Sequence, residues 1–285
     1  MLKKKIAWIT DSTAYITKEL KDHPDVYIVP LSISFGDQTY EDGVDLTANE
    51  LYEKIRNSKQ IPKTSQPSPG RFMELYEKLE EEYETGIAVH ISSQLSGTLQ
   101  GSVHGARMAD FPLEGVDSKS MSYPITTLLY KGMELEKEGL DVKEISTRLR
   151  DEADKSQNYI LIGNLDQFYK GGRMSGAQYL LGNLLQIKPI IRINPRGEFE
   201  MVEKVRSEKK AIRRILDLFD EAYQKNRITG IQIMHGNVPA KAEEWRKELQ
   251  ALYPDLEIFV GEVSSTIGVH AGEGTVALTW TNQSK

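Results

Sequence analysis

Seven short runs rich in β-branched residues alternate with amphipathic helical patterns, and this alternation narrows the possible folds more than any other feature. The runs are "KIAWIT", "VYIVPLSISF", "GIAVHI", "YILIG", "KPIIRI", "GIQIMHG" and "LEIFVGEV". Each has the length and apolar character of a buried strand. Between them, Leu51 to Ile55, Phe72 to Tyr83, Val142 to Ala153, Ile212 to Tyr223 and Ala242 to Leu252 repeat apolar residues at helical spacing. Strands separated by helices predict an α/β chain containing parallel sheet. One stretch departs from that scheme. In "KPIIRINPRGEFEMVEKV" two strand-like runs flank Pro195-Arg196-Gly197, the pattern of an antiparallel hairpin. We therefore expect a parallel α/β domain over residues 1–157 and a mixed-sheet α/β domain over residues 158–285.

Length and composition support two modest domains or one large one. The 285 residues are 39% hydrophobic and 27% charged, enough apolar side chain for a core. A net charge of -6 disfavours nucleic acid as a partner, because phosphate neutralisation needs a basic face. The chain has no cysteine, which removes disulfides, thiol catalysis and zinc–thiolate sites. The apolar run after "MLKKK" is too short for a signal-peptide core, and no stretch is long enough to span a bilayer. The expectation is a cytoplasmic protein.

Motif absences narrow the chemistry. There is no G-x-x-x-x-G-K-[ST] for a phosphate loop, no G-x-G-x-x-G after the first strand and no H-E-x-x-H. His23, His90, His104, His235 and His270 show no ligand spacing, so no metal site is expected. Polar clusters instead follow several strands. Asp11-Ser12-Thr13, Ser92-Ser93 with Ser96-Gly97-Thr98, and Gly236-Asn237 all stand where open α/β sheets bind ligands. Each cluster also serves as an ordinary helix cap, and it is their number that favours a ligand site.

"KTSQPSPGRF", Lys63 to Phe72, adds to that case. Ser68 suits an N-cap and Pro69 the first helical turn, which leaves Thr64, Ser65 and Gln66 without a folding reason. Three readings stay open on these residues. One is a small-molecule binder. A second is a hydrolase or acyltransferase acting on lipid esters through Ser96 and His270 with Asp11 or Asp117, though no G-x-S-x-G elbow is present. The third is a nucleotide or phosphate binder. "YKGGRM" carries Arg173 in a glycine-rich turn. "EKVRSEKKAIRRI" gathers Arg206, Lys209, Lys210, Arg213 and Arg214, a candidate docking surface for an acidic partner.

Taken in order, "ITDSTA", "PKTSQPSPG", "SSQLSGTLQ", "VDSKSMS", "YKGGRMS", "LQIKPII" and "GVHAGEGTVAL" resemble the DegV family of bacterial fatty-acid-binding proteins. The resemblance spans essentially the whole chain. It implies a two-domain α/β fold, a parallel-sheet αβα sandwich followed by a mixed-sheet α/β domain, with one long-chain fatty acid between them. It implies a lipid-binding protein that is not itself an enzyme. Such a protein presents the carboxylate to the catalytic subunit of an ATP-dependent fatty-acid kinase, which makes an acyl phosphate. No cofactor beyond the bound fatty acid, no nucleic acid and no stable membrane insertion is implied, only transient membrane contact. By the same resemblance Thr64, Ser96, the Gly97 N–H and His270 bind the carboxylate. Arg173, Arg206, Asp11 and Ser12 fall in the headgroup region or the docking surface. Two positions depart from the family pattern: Glu273 stands where a proline is usual, and Tyr123-Pro124 replaces a glycine-richer stretch.

Neutral donors suit such a task. An arginine fork would stabilise the carboxylate oxygens in the ground state and blunt them as nucleophiles. Hydroxyls hold the acid with less withdrawal of charge, and prolines beside them reduce the entropy lost on binding. For the tail, "QYLLGNLLQIKPII" (Gln178 to Ile191) and the "ALTW" near the C-terminus are candidate linings.

Overall fold

The computed structural model describes residues 4–58, 62–173 and 187–283. In chain order the first part runs β1 (Lys4–Asp11), α1 (Lys18–Asp22), β2 (Val26–Val29), β3 (Ser32–Phe35), β4 (Gln38–Glu41), α2 (Ala48–Asn57), β5 (Lys63–Ser65), α3 (Pro69–Glu80), β6 (Tyr83–His90), α4 (Thr98–Met108), β7 (Leu113–Asp117), α5 (Tyr123–Lys137) and α6 (Val142–Ala153). The second part runs β8 (Ser156–Leu161), α7 (Leu165–Lys170), β9 (Lys188–Ile193), β10 (Phe199–Val205), α8 (Glu208–Lys225), β11 (Gly230–His235), α9 (Pro239–Leu252), β12 (Glu257–Glu262), α10 (Ser265–Ala271) and β13 (Val276–Thr281). The chain divides into two compact units, Met1–Thr47 with Pro62–Asp154, and Ala48–Ile61 with Lys155–Lys285. A single boundary near Gln157 does not describe the second unit, which also takes in α2 from upstream.

The first unit holds a four-stranded sheet of order β2-β1-β6-β7, parallel throughout. Alternate residues of β1 serve opposite faces, as the strand pleat requires. Ala7 and Ile9 join Phe72, Tyr76 and Leu79 of α3 and Ala106 of α4 in one core. Trp8 points the other way, where a Cβ on Gly132 of α5 would collide with its ring and Glu136 accepts its indole N–H at 2.9 Å. A three-stranded antiparallel sheet, β4-β3-β5, completes the unit and carries Thr64 opposite Ile33. The run "VYIVPLSISF" is therefore two strands in two sheets, parted at Pro30-Leu31. The helix starting at Pro69 ends at Glu80, and Tyr83 opens β6 instead of closing the helical face.

The second unit holds a six-stranded mixed sheet of order β10-β9-β8-β13-β11-β12. β9 and β10 form the antiparallel hairpin around Pro195-Arg196-Gly197, with Gly197 at φ 85. Within this sheet only β11 and β12 run parallel. One face packs Tyr159, Leu161, Ile190, Ile231, Ile233, Leu278 and Trp280 against α8 and α9 through Phe219 and Trp245. Trp280 stacks on Tyr159 and meets Phe219 edge-on. Leu278 and Trp280 of "ALTW" are thus closed core and not a lining.

The opposite face carries an apolar row beside the polar row Asn158–Thr279–Gln232. Register pairs Met201 with Ile191, Ile191 with Ile160, Ile160 with Ala277, Ala277 with Met234, and Met234 with Gly261. This single row crosses all six strands, and Ile191, Ile160 and Met234 in it are buried outside the α8–α9 core. Five interstrand steps give it a length of about 24 Å. Of the stretch Gln178 to Ile191, the portion before residue 187 lies outside the described residues.

Candidate functional site

In the first unit the turn from Ser92 to Thr98 joins β6 to α4. Two carboxylates, the buried Asp11 and the half-buried Asp117, fix its shape. Asp11, at the end of β1, accepts from the Thr13 N–H at 2.9 Å and the Thr13 hydroxyl at 2.5 Å through Oδ1. Its Oδ2 takes the Ile91 N–H at 3.0 Å and His90 Nδ1 at 2.9 Å. Burial alone would push this carboxyl up, but the bonds from His90, Thr13 and Ile91 outweigh it and hold the pKa below the usual range. Asp117, at the end of β7, accepts the Ser93 hydroxyl at 2.5 Å and the Lys119 N–H at 2.8 Å. The Ser92 carbonyl then receives the Leu95 and Ser96 N–H groups, at 2.9 and 3.0 Å.

Asp11 and Ser12 consequently have structural work. Ser12 donates to Asp42 at 3.0 Å and accepts from the Leu31 N–H at 3.0 Å. Both residues are buried, so they shape the unit and offer no surface to a docking partner. The same contacts weigh against a Ser–His–Asp arrangement. Asp11 orients His90, Asp117 is taken by Ser93 and Lys119, and the Ser96 hydroxyl shares a 2.8 Å bond with Thr98.

At the end of this turn Gly97 is the N-cap of α4, and no side chain caps that helix. The free N–H groups of a helix start attract anions, and the hydroxyls of Ser96 and Thr98 stand beside them. "TSQPSPG" is laid along α4 through its glycines. A Cβ on Gly101 would lie 3.3 Å from the Pro67 carbonyl, and one on Gly105 would lie 2.7 Å from the Pro69 carbonyl. Gly97, Gly101 and Gly105 share a helix face at four-residue spacing, which lets the proline loop approach the helix backbone. A Cβ on Gly97 would collide with the Gln66 amide. The loop and the "LSGT" turn, expected to act together, are therefore adjacent. Ser68 caps α3 through a 3.2 Å bond from the Arg71 N–H.

The second unit brings "YKGGR" and "GVHAGEG" together. His270 lies in the last turn of α10, whose N-cap Ser264 accepts the Ile267 N–H. A Cβ on Gly171 would stand 2.6 Å from His270 Nδ1, so the imidazole rests against the glycine turn. Gln167 of α7 ties the two segments by donating to the carbonyls of Gly268 and Val269, at 3.1 and 2.6 Å. Arg173 donates to the Gly171 carbonyl at 2.7 Å, and partial burial draws its pKa below the ordinary arginine value. Burial first, and the Arg173 charge second, push His270 down to about 4. Its ring is neutral at pH 7. Glu273, the acidic departure in this loop, accepts from Arg56 and from Asn237, each at 2.6 Å, so its charge is matched locally.

Arg206 is exposed between β10 and α8 and has no ion-pair partner among the described residues. Of its basic neighbours, Arg214 is held by Glu203 and Glu221, and Arg213 pairs with Asp217. Arg206, Lys209 and Lys210 remain as the uncompensated part of the patch. Among the described residues no group of three or more His, Asp or Glu is placed to hold a metal ion. No helix among them is long and apolar enough to cross a membrane. Sequence reasoning singled out Gln66 without placing it against Gly97, and it missed the Asp11–His90 pair and the clamping role of Asp117. The glycines at 97, 101 and 105 were the available signal for Gln66.

The model of the family described as "Uncharacterised protein, DegV family" matches residues 5–283. A DegV domain-containing protein of Listeria innocua is 36% identical over 282 residues, covering 98% of this chain and 99% of that relative. The crystal structure of DegV from Bacillus subtilis, a fatty acid binding protein, matches with a TM-score of 0.89 at 32% identity, covering 98% of this chain and 99% of that one. The Fatty Acid Kinase (Fak) B3 protein of Streptococcus pneumoniae, solved loaded with linoleic acid, has a TM-score of 0.82 at 20% identity, covering 98% and 100%. At that identity the likeness shows the fold alone.

Proposed function

The chain belongs to the DegV family, and from that premise we propose that it binds a long-chain fatty acid and presents the carboxylate to a fatty-acid kinase. The observation that carries the reading is the Ser92–Thr98 turn. There, two hydroxyls and an uncapped helix start gather beside the "TSQ" loop. Thr64, Ser96 and the Gly97 N–H are the proposed carboxylate donors, with the neutral ring of His270 as a fourth.

The tail and the head of such a ligand make unequal demands. At about 0.8 kcal/mol per buried methylene, fourteen methylenes contribute roughly 11 kcal/mol before ordering costs. One hydrogen bond to a charged group adds about 1.5–3 kcal/mol. Affinity therefore comes from the tail, and the donors set its orientation. The row Met201–Ile191–Ile160–Ala277–Met234–Gly261 is the proposed lining, since it is apolar and long enough for an extended acyl chain. In this reading the protein is the substrate-presenting partner and the kinase performs the phosphoryl transfer. Arg173 is a proposed headgroup cation, and Arg206, Lys209 and Lys210 are the proposed docking surface for the kinase.

Organic extraction of the purified protein followed by mass spectrometry tests the proposal. A stoichiometric long-chain fatty acid is expected. An empty extract combined with esterase activity on a generic ester would favour the Ser96–His270 hydrolase instead.

A further inference from the structure

We propose that Gln66 reads the head of the bound lipid and selects a free carboxylic acid over its esters, a role that rests on the Ser92–Thr98 turn being the carboxylate seat. Gly97 adopts φ -80 and ψ 14, a backbone conformation open to residues with side chains. Conformation therefore does not demand glycine there. Proximity does: a Cβ would stand 2.7 Å from Gln66 Nε2 and 3.0 Å from Cδ, as well as striking Oε1. The amide is pressed against the turn at the start of α4.

Its placement is built from behind. Pro67 is buried and its carbonyl lies close to Gly101, while the Pro69 carbonyl lies close to Gly105, so the chain carrying Gln66 has little room to shift. Among the described residues the Gln66 amide has no hydrogen-bond partner, although it is held against polar backbone. It is thus an exposed, uncharged group with both a donor and an acceptor, lying beside the proposed seat and uncommitted among the described residues. A carboxylate offers two acceptor oxygens. When one is taken by Ser96 and the Gly97 N–H, the other is available to the Nε2–H of Gln66. In an ester that second oxygen carries carbon, accepts weakly and needs the volume that the amide fills. Discrimination of this kind, by a polar group left unpaired or a contact made impossible, is large for its size.

The test uses the delipidated full-length protein with palmitic acid and methyl palmitate as probes, and folding is checked by thermal melting. Wild type is expected to prefer the acid. Gln66→Ala is expected to weaken acid binding about tenfold, the loss of one charge-assisted hydrogen bond, while the ester, given the volume the amide filled, binds better. Gln66→Glu places a like charge at the seat, so acid binding falls further and ester binding stays unchanged. Gly97→Ala drives the amide away and mimics Gln66→Ala, and combining the two adds little beyond either alone. A spacer role predicts something different, namely equal losses for acid and ester. That result, or an acid preference that survives Gln66→Ala, overturns the proposal. Wild-type protein that binds neither probe overturns the fatty-acid reading and this role with it.

Discussion

The Ser92–Thr98 turn and the apolar row across the six-stranded sheet are built on opposite terms. In the turn nearly every position is fixed by a directional bond, and two carboxylates, Asp11 and Asp117, serve only to hold neighbours in place. In the row there is no polar side chain at all, and register alone aligns Met201, Ile191, Ile160, Ala277 and Met234. Directional bonds specify where an atom must be. Apolar burial specifies only that water must leave. The difference teaches that aiming and holding a lipid are separable, and substitutions should separate them.

The largest effect is expected where the row meets its control, the closed face of the same sheet. Trp280→Ala removes the ring stacked on Tyr159 and set against Phe219, and should cost about 4 kcal/mol in chemical denaturation. Lipid recovered from the folded variant should match wild type. Loss of lipid at full folding would place the lining on the wrong face.

Next comes the turn's own support. Asp11→Asn breaks a pair in which both partners are fully buried, and about 3 kcal/mol of destabilisation is expected. Amide exchange of Thr13 and Ile91 should quicken with it. Unchanged exchange would mean that the turn is shaped by something else.

A graded effect is expected from acid. Burial and the Arg173 charge hold His270 at about 4, whereas the unfolded chain titrates near 6.5. The unfolded state therefore takes up the proton first. The stabilisation is complete above pH 6.5 and is lost as the pH falls towards 4. His270→Gln should flatten the stability curve in that window. A curve of unaltered slope would remove the buried imidazole as its cause.

The smallest effect on the fold is expected at Arg206. Arg206→Ala should leave stability within about 0.5 kcal/mol and slow the kinase reaction most at low salt. An equal loss at all ionic strengths would argue against electrostatic docking.

What the sequence disclosed divides along the same line. Strands such as "GIAVHI" and the Pro195-Arg196-Gly197 hairpin were legible, because β-branched runs and turn chemistry are local signals. "VYIVPLSISF" was legible as strand, but which sheet each half joins is decided by Pro30 and tertiary pairing. The α4 helix was not among the periodic segments because glycine is a poor helix former, while packing against Pro67, Pro69 and Phe72 is what requires Gly101 and Gly105. Tyr123-Pro124, a departure from the family pattern in the sequence, opens α5 with the proline in its first turn. Asp11 was visible as a polar residue after a strand. Its partner His90 lies 79 residues away, and nothing local announces such a pair. Trp280 could be read as lining or core, and only the packing of Phe219 decides for core.

The most direct measurement compares lipid retention with acyl-phosphate formation in Thr64→Ala and Ser96→Ala, each assayed with the kinase catalytic subunit. The account predicts that both variants keep most of their fatty acid while the rate of phosphorylation drops by tenfold or more, on the order of one charged hydrogen bond each. Normal phosphorylation by both variants, or lipid lost in step with the rate, would contradict it.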